Sequence, residues 1–372
     1  MPEVYAPVLL VLHVLLVLQH MNKTFLGCGQ RPRWNHENNT HDVSSTFMKV
    51  QVLGGGGWGI ALARLLANAG HETALWVRNE MRARQLREQG EETRLLPGVK
   101  LPQSVDILTL PQGHADMVVY AIPSHALREI VEQYPFPASA LRISTVKGIE
   151  NDSLLRMSEI IAAAAPDAPV LALSGPSHAE EVGRDLPACV VIAGQDRDAC
   201  ALAQAAFGGP AFRVYTSDDI IGVELGGALK NIIAIAAGAC DGFGLGDNAK
   251  AALITRGLAE MIRLGAACGA SPETFAGLSG MGDLIVTCSS RHSRNHHVGY
   301  RIAQGRTLLE IARETPKVAE GVRTTKSAAA LAARHGVDMP IAMAVHEVLF
   351  EDRDARACIT ALMSRLMKAE WT

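Results

Sequence analysis

The chain reads Gly54-Gly55-Gly56-Gly57-Trp58-Gly59 between an apolar run, residues 50–53, and a helix-like run, residues 60–67. Glycines 54, 56 and 59 have the spacing G-x-G-x-x-G. The first glycine permits a tight turn, the second lets backbone approach a pyrophosphate, and the third lets the helix pack on the strand. The diphosphate then lies at the helix N-terminus, where backbone N–H groups are unpaired. Glycine runs are also typical of flexible loops, so it is the flanking strand and helix that indicate a dinucleotide-binding turn.

The composition is typical of a soluble enzyme. With 372 residues, of which 48% are hydrophobic and 20% charged, the chain is long enough for two domains with substantial cores. The formal net charge is -3 and only 5% of the residues are aromatic, and there is no basic stripe or tail. These properties argue against a nucleic-acid partner.

The cysteine pattern predicts reduced thiols. The chain has seven cysteines, an odd number, scattered without C-x-x-C spacing. This distribution favours a cytoplasmic protein over a disulfide framework, and it offers no zinc site. The neighbours His296 and His297 would point to different sides of a regular element, so we interpret them as polar surface and expect no bound metal.

Residues 1–47 do not follow the pattern of the rest of the chain. The apolar stretch 8–18 is too short to span a bilayer and is interrupted by His13, and no Lys or Arg precedes it as in a secretory signal. Residues 35–45 are polar, as in a disordered linker. We predict a non-core leader, either disordered or non-native upstream sequence, with Met48 as the functional start and no integral membrane association. An export or membrane role is the alternative.

From Met48 onward, strand and helix patterns alternate, which is typical of βαβ units and a parallel sheet. After Ser217 the chain becomes helical. The sequence thus predicts an α/β Rossmann-type N-terminal domain with a parallel sheet, residues 48–218, and an all-α substrate-binding domain, residues 219–372. The expected strands are residues 50–53, 72–77, 117–122, 141–145 and 170–174.

Arg78 follows the second predicted strand, at the position where an NAD-specific fold often places an acid that binds the adenosine ribose. An arginine there suits the extra 2′-phosphate of NADP, so the sequence favours NADP(H) over NAD(H). Glu80 lies close by, and the alternative is that Arg78 is a surface residue paired with it.

Lys230 lies in an apolar helical run, residues 222–237, with no carboxylate one turn away to pair with. It either extends to water from a surface face or points into a cleft with a functional partner, and the sequence leaves both open. In a buried cleft its pKa would fall, which would make it a proton donor and acceptor near neutral pH.

The segment 280–295 combines one acid, Asp283, with several hydroxyls and two arginines in a glycine-broken loop. Arg binds phosphate through paired charge-assisted hydrogen bonds, and Ser and Asn add neutral donors. The segment predicts an oxyanion pocket, with an exposed basic loop as the alternative.

Several motifs, taken in order, resemble those of bacterial-type NAD(P)-dependent glycerol-3-phosphate dehydrogenase. The resemblance runs from Met48 nearly to the C-terminus. It departs at Gly57, where a small hydroxyl residue or Ala is more usual, and at Asn79, where charged residues are common. The motifs are the glycine turn ending in Trp58-Gly59, Pro123-Ser124-His125-Ala126-Leu127, Lys147-Gly148, Gly175-Pro176-Ser177, Glu224 to Asn231, Gly282-Asp283-Leu284, Ser293-Arg294-Asn295 and Val318-Ala319-Glu320-Gly321.

The resemblance implies reversible reduction of dihydroxyacetone phosphate to sn-glycerol 3-phosphate with NAD(P)H, for glycerophospholipid synthesis in the cytoplasm, and a homodimer is a further expectation. It implies that Lys230 is the general acid toward the ketone oxygen, that Lys147 polarises the carbonyl or positions the substrate, and that Asp283 orients Lys230. The implied substrate-binding residues are Lys147, Gly175, Ser177, Lys230, Asp283, Ser293, Arg294 and Asn295. The implied cofactor-binding residues are Gly54, Gly56, Gly57, Trp58, Gly59, Arg78, Lys147, Ala179, Arg294, Val318 and Glu320.

Three other functions fit parts of the pattern. A ketopantoate or β-hydroxyacid reductase would bind a carboxylate, whereas residues 293–295 and two separate lysines favour phosphate. A nucleotide-sugar dehydrogenase would need a nucleophilic cysteine, and neither Cys240 nor Cys288 lies in the expected glycine-rich setting. A non-catalytic NADP-sensing module would bind the cofactor without turnover, and the set Lys147, Lys230 and Asp283 argues against it.

Overall fold

The computed structural model of the chain describes residues 47–290, 292–314, 319–367 and 369–370. The predicted leader, apart from Phe47, and the predicted cofactor contact Val318 lie outside the described residues. The described residues all belong to one compact unit. The chain changes from a sheet to a set of helices after Ser217, and the predicted domain boundary at this point stays a prediction.

The first part of the chain contains one eight-stranded sheet. Its strands are β1 Lys49–Leu53, β2 Glu72–Trp76, β3 Asp106–Leu108, β4 Met117–Tyr120, β5 Leu141–Ser144, β6 Val170–Ser174, β7 Ala188–Ala193 and β8 Phe212–Ser217. Their order across the sheet is β3-β2-β1-β4-β5-β6-β7-β8, and every neighbouring pair is parallel except β6 and β7. The predicted α/β fold is confirmed, with one antiparallel step in an otherwise parallel sheet.

Helices cover this sheet and form the second part of the chain. Those of the sheet region are α1 Gly57–Asn68, α2 Glu80–Gln89, α3 Leu127–Gln133, α4 Met157–Ala164, α5 Ala179–Val182 and α6 Arg197–Phe207. Those of the second part are α7 Ile220–Gly242, α8 Asp247–Ala267, α9 Pro272–Ala276, α10 Asp283–Ser289, α11 Arg294–Ala303, α12 Leu308–Glu314, α13 Glu320–His335, α14 Pro340–Phe350 and α15 Ala355–Met363.

The central strands are buried on both faces, as expected where helices cover a parallel sheet. Every residue of β4 and β5 is buried. Leu53 pairs with Trp76 on one side and with Tyr120 on the other, so β1, β2 and β4 end at the same level. The turns that follow these strands therefore meet at one edge of the sheet, which is where α/β folds bind ligands.

The sequence analysis did not identify β3, β7, β8 or α6. β3 has only three residues, and β8 lies at the edge of the sheet with exposed residues along it. A strand as short as β3 shows no hydrophobic periodicity, whereas β8 alternates buried and exposed residues over its first four positions and could have been found from this pattern.

The central helix of the second part is α7. Among the described helices it alone is long and apolar enough to cross a membrane, but 83% of its most apolar window is buried inside the protein.

α11 packs very closely on α7, since a Cβ on Gly238 would lie 1.9 Å from the carbonyl oxygen of His296 and one on Gly299 would lie 1.8 Å from that of Ile235. This close packing fixes the N-terminus of α11 beside the central helix.

Candidate active site

A cavity of about 390 Å³ lies where the turns after the strands meet the helical part of the chain. Its walls contain residues of the glycine turn, two lysines from different elements, and the N-terminus of α11. The fold thus brings most of the predicted cofactor residues and most of the predicted substrate residues to one cavity. Its lining includes Gly56, Gly57, Trp58, Lys147, Ser177, Ala179, Lys230, Ser293, Arg294, Asn295 and Glu320.

The glycine turn has an open backbone surface. A Cβ built on Gly56 would meet no atom of the described residues within 4 Å, and Gly56 lines the cavity. Gly56 is also the N-cap of α1, and no side chain of the described residues caps that end. The first-turn N–H groups of α1 are therefore available to an anion. These features fit the diphosphate of a dinucleotide.

Gly59 has the opposite surroundings. A Cβ there would lie 1.8 Å from the carbonyl oxygen of Gly54, so a side chain would force the turn and the helix apart. Gly54 itself has φ +129, in the region that favours glycine.

These two surroundings predict different effects for the same substitution. Gly59→Ala is expected to destabilise the folded protein by about 2 kcal/mol, because the backbone must shift to admit the methyl group. Gly56→Ala is the matched variant: its methyl group has room in the folded protein, so the melting temperature should stay unchanged. The methyl group would occupy surface facing the cavity, and we expect KM for NADPH to rise about tenfold. Equal melting temperatures for the two variants would contradict these structural roles.

Lys230 points into the cavity from the middle of α7. It is only 5% exposed, so the interpretation as a lysine that extends to water is wrong. Its Nζ donates a hydrogen bond of 2.7 Å to Thr287 Oγ1 and another to Asp283 Oδ1. The partner that the helix itself lacks is therefore supplied by α10.

Asp283 holds both lysines. It begins α10 directly after a π-helical turn, Leu278–Gly282, and is 1% exposed. One carboxylate oxygen accepts from Lys230, and the other accepts from Lys147 Nζ at 2.6 Å. Lys147 Nζ also donates to the carbonyl oxygen of Gly175 at 3.2 Å. A single buried carboxylate thus fixes two ammonium groups at the cavity wall.

The pKa values of Lys230 and Asp283 are both shifted by the surroundings of the cluster. Burial lowers the pKa of Lys230 to about 7; the Lys147 ammonium acts in the same direction, and the Asp283 carboxylate opposes both. Burial acts to raise the pKa of Asp283, but the two ammonium groups outweigh it and hold that pKa below its usual range. Asp283 therefore stays ionised, while Lys230 can gain and lose a proton near neutral pH.

The side chains of Ser293 and Asn295 shape the N-terminus of α11. Ser293 Oγ accepts a hydrogen bond of 3.2 Å from the backbone N–H of His296 and so caps the helix. Asn295 Oδ1 accepts from the backbone N–H of Gly321 at 2.9 Å, and its Nδ2 donates to Asn231 Oδ1 at 2.8 Å. These bonds tie α11 to α7 and α13 and fix the helix end at the cavity.

Arg294 adds a positive charge to this helix end. It is exposed, and the surface that it exposes contributes to the cavity wall. Burial by the surrounding residues lowers the pKa of the guanidinium, which nevertheless stays charged near neutral pH. The helix end and Arg294 together can bind an anion such as a phosphate group.

The remaining predicted residues occupy three kinds of position. Ser177 and Ala179 line the cavity, whereas Gly175 is not in the lining and its carbonyl accepts the hydrogen bond from Lys147. Glu320 also lines the cavity and is held by Ser124, whose Oγ donates to Glu320 Oε2 at 2.6 Å. The lining does not include Arg78, which lies on the exposed surface just beyond β2.

Sequence reasoning missed four residues of this site. Thr287 lies one turn after Asp283 on the same helix, and the spacing of four could have revealed it. Asn231, next to Lys230, pairs with Asn295 across two helices, and nothing in its local sequence indicates this contact. Ser124 lies in a motif of the resemblance that assigned it no role, and His178 directly follows the motif Gly175-Pro176-Ser177 and lines the cavity.

Neither cysteine considered for nucleophilic catalysis is suited to it. Cys288 is fully buried, and burial raises the pKa of its thiol to about 12. Cys240 is buried as well, and burial raises its pKa above the ordinary value. Both thiols stay protonated near neutral pH, which argues against a nucleotide-sugar dehydrogenase.

Known proteins are similar to this chain over most of its length. Residues 49–200 match the family description "NAD-dependent glycerol-3-phosphate dehydrogenase N-terminus", and residues 219–360 match the corresponding "C-terminus". The chain belongs to the glycerol-3-phosphate dehydrogenase family. One relative, glycerol-3-phosphate dehydrogenase [NAD(P)+] of Pelotomaculum thermopropionicum, is 49% identical over 325 residues, which cover 85% of this chain and 93% of the relative. Another, from Chlorobium phaeobacteroides, is 49% identical over 332 residues, covering 87% and 99%.

Solved structures agree with this membership. A crystal structure of glycerol-3-phosphate dehydrogenase from Coxiella burnetii has a TM-score of 0.83 and 35% identity, and covers 86% of this chain and 99% of its own. A ketopantoate reductase from Ralstonia eutropha has a TM-score of 0.52 at 18% identity, covering 85% and 100%, and shares the fold alone. The enzyme is therefore an oxidoreductase of the NAD(P)-dependent glycerol-3-phosphate dehydrogenase family.

Proposed function

We propose that this enzyme catalyses the reversible reduction of dihydroxyacetone phosphate to sn-glycerol 3-phosphate with NAD(P)H. The observation that carries the proposal is the buried cluster in which Asp283 holds Lys147 and Lys230 at a cavity bordered by the glycine turn and by Arg294. One cavity thus offers a dinucleotide-binding backbone, an acid-base group and an anion site.

The glycine turn and the N-terminus of α1 are the residues suited to hold the cofactor diphosphate, with Trp58, Ala179 and Glu320 lining the same cavity. When bound, the nicotinamide cofactor supplies or accepts a hydride at C2 of the substrate. Ser124 fixes the Glu320 carboxylate through its hydroxyl and its backbone N–H, so this wall is rigid.

Lys230 and Lys147 act on the oxygen at C2. In reduction, negative charge develops on this oxygen, and two ammonium groups stabilise it. Lys230, with a pKa of about 7, donates the proton that completes the alcohol and takes it back in the reverse reaction. Asp283 keeps both ammonium groups in place, and its low pKa ensures that it stays a carboxylate throughout.

The phosphate group of the substrate binds to the N-terminus of α11. Arg294 supplies the charge, and the first-turn N–H groups supply further donors. The side chains of Ser293 and Asn295 contribute mainly by holding this helix end, because both already make hydrogen bonds within the protein.

The direct test of this function is turnover by the purified full-length chain. We expect oxidation of NADPH, followed at its absorbance, when dihydroxyacetone phosphate is added, with formation of an equal amount of sn-glycerol 3-phosphate. Ketopantoate, which carries a carboxylate instead of a phosphate, is the control substrate. Turnover of ketopantoate in place of dihydroxyacetone phosphate by folded protein would contradict the proposal.

We propose that NADP(H) is preferred over NAD(H), through Arg78. The pKa of the His125 imidazole is lowered mainly by burial and further by the positive charges of Arg323 and Arg78, while the Glu320 carboxylate acts to raise it. Two guanidinium groups and one carboxylate therefore act on this histidine, and the excess positive charge suits the 2′-phosphate of NADP.

Replacing Arg78 by Asp is expected to lower the ratio of kcat/KM for NADPH to that for NADH by about 10²-fold, because a repulsive carboxylate replaces an attractive charge. The matched control is Arg84→Asp on α2, where the arginine is also exposed and pairs with Glu88 at 2.8 Å. An unchanged cofactor ratio in the Arg78 variant would show that Arg78 is an ordinary surface residue.

We also propose that this enzyme is cytoplasmic and supplies sn-glycerol 3-phosphate for glycerophospholipid synthesis. We further propose that it is a homodimer. Family membership supports the metabolic role. The six described cysteines, all free thiols, support a reducing compartment. Sedimentation of the purified protein tests the dimer directly.

A further inference from the structure

His178 lies in the wall of the cavity and has no part in the reaction described above. It is the N-cap residue of α5, but its side chain makes no capping hydrogen bond. Its Nε2 is buried and has no hydrogen-bond partner among the described residues. Buried polar groups are almost always paired, and an unpaired one costs free energy. The His178 ring lines the cavity, so a small turn of the ring would bring this unpaired nitrogen to a polar group of a bound ligand.

His178 lies close to both ends of the substrate site, which are the two lysines and the N-terminus of α11. Its imidazole lines the same cavity as Lys230 and Lys147. Its ring centroid lies 5.9 Å from that of His292, which precedes the phosphate-binding end of α11. The imidazole is therefore placed beside a substrate whose ketone oxygen faces the lysines and whose phosphate faces α11.

The charge of His178 limits what it can bind. The pKa of the imidazole is lowered mainly by burial and further by the positive charges of Lys230 and Lys147. The carboxylates of Glu180 and Asp283 act to raise it. A neutral imidazole is not a counter-ion for a phosphate dianion. It can donate or accept one hydrogen bond at Nε2, depending on the tautomer, which suits a hydroxyl group.

We propose that Nε2 of His178 hydrogen-bonds the C1 hydroxyl of dihydroxyacetone phosphate and selects 1-hydroxyketone phosphates over analogues that lack this hydroxyl. The inference rests on the proposed function. The substrate has three polar groups, of which the phosphate faces α11 and the C2 oxygen faces the lysines. His178 supplies a partner for the third, and a site built to bind a hydroxyl rejects ligands without it.

The test compares dihydroxyacetone phosphate with hydroxyacetone phosphate, which lacks only the C1 hydroxyl. We expect the wild-type enzyme to favour dihydroxyacetone phosphate in kcat/KM by at least about 10²-fold. His178→Phe keeps a flat ring without the nitrogen, and it is expected to lower this ratio at least about tenfold, mainly by slower turnover of dihydroxyacetone phosphate. His178→Gln, which keeps a donor and an acceptor, should restore part of the ratio.

A purely structural role would lower kcat/KM for both substrates equally in His178→Phe, and that result would overturn the proposal. Should the Phe variant fail to fold, the wild-type ratio decides, because a value near 1 excludes recognition of the hydroxyl. A wild-type enzyme that turned over neither substrate would contradict the proposed function itself. The two failures are therefore distinguishable.

Discussion

Replacing Lys230 by Met is expected to lower kcat for dihydroxyacetone phosphate reduction by at least about 10²-fold, the scale of lost general acid catalysis. Met has a similar length and no charge, so the substitution removes the proton donor and leaves the apolar part of the side chain. Asp283 keeps Lys147 as a partner at 2.6 Å, so the carboxylate does not become unpaired. Steady-state kinetics with saturating NADPH measure the effect.

The matched control for this variant is Lys326→Met. Lys326 is an exposed lysine on α13 that lies over the ring of Phe350, away from the cavity lining. We expect its kcat to match that of the wild-type enzyme. A Lys230 variant with unchanged kcat would show that proton transfer does not depend on this residue.

Replacing Asp283 by Asn is expected to impair both stability and catalysis. The substitution leaves two ammonium groups without their carboxylate, and breaking a buried ion pair in this way costs about 3–5 kcal/mol. Without Asp283, the charged form of Lys230 loses its main stabilising partner, so we expect its pKa to fall further. Reduction at neutral pH should then slow by at least about 10²-fold, because the proton donor is mostly deprotonated.

Chemical denaturation and steady-state kinetics together test this prediction. The control is Asp338→Asn, which removes a carboxylate that is 62% exposed and pairs with Arg365 at 2.8 Å. Exposed pairs contribute at most about 1 kcal/mol, so this variant should unfold almost as the wild type does. Equal destabilisation by the two substitutions would contradict the description of Asp283 as the buried centre of the site.

The glycine turn and the positions of five strands along the chain could be predicted from the sequence because both depend on local patterns. The spacing of Gly54, Gly56 and Gly59 encodes a strand, a turn and a helix within a short segment. β3 could not be predicted in this way, because a strand of three residues is too short to show a periodicity. β8 does alternate buried and exposed residues at its start, and this pattern could have revealed it.

The lysine cluster depends on contacts between distant parts of the chain. Lys230 and Asp283 are 53 residues apart in sequence, and Lys147 and Asp283 are 136 apart. Helical periodicity indicates which face of α7 carries Lys230, but the packing of α10 against that face decides whether a carboxylate meets it. Only the family resemblance linked these residues before the fold did.

For Ser293 and Asn295 the sequence indicates the site but does not distinguish the role of each side chain. Their residue types suit phosphate binding, and the resemblance implies it. Their side chains nevertheless bond mainly to His296, Gly321 and Asn231. A sequence motif records that these residues are required at a site, and the structure distinguishes residues that hold the helix end from those that face the ligand.

The central claim is that Lys230, with a pKa of about 7, donates the proton in reduction and accepts it in oxidation. Its ammonium form is lost as pH rises through this value, so kcat/KM for reduction should fall above about pH 7. Its neutral form is lost as pH falls, so kcat/KM for sn-glycerol 3-phosphate oxidation should fall below about pH 7. The second ionisation of the substrate phosphate lies nearby and is common to the wild type and to Lys230→Met.

The decisive measurement is therefore the pH dependence of kcat/KM in both directions for the wild-type enzyme and for Lys230→Met. The substrate phosphate gives the same acid limb in both enzymes. The account predicts that the wild type has, in addition, an alkaline limb in reduction and an acid limb in oxidation near pH 7, and that these two additional limbs are absent from the profiles of the variant. Identical profiles for the wild type and Lys230→Met would contradict it.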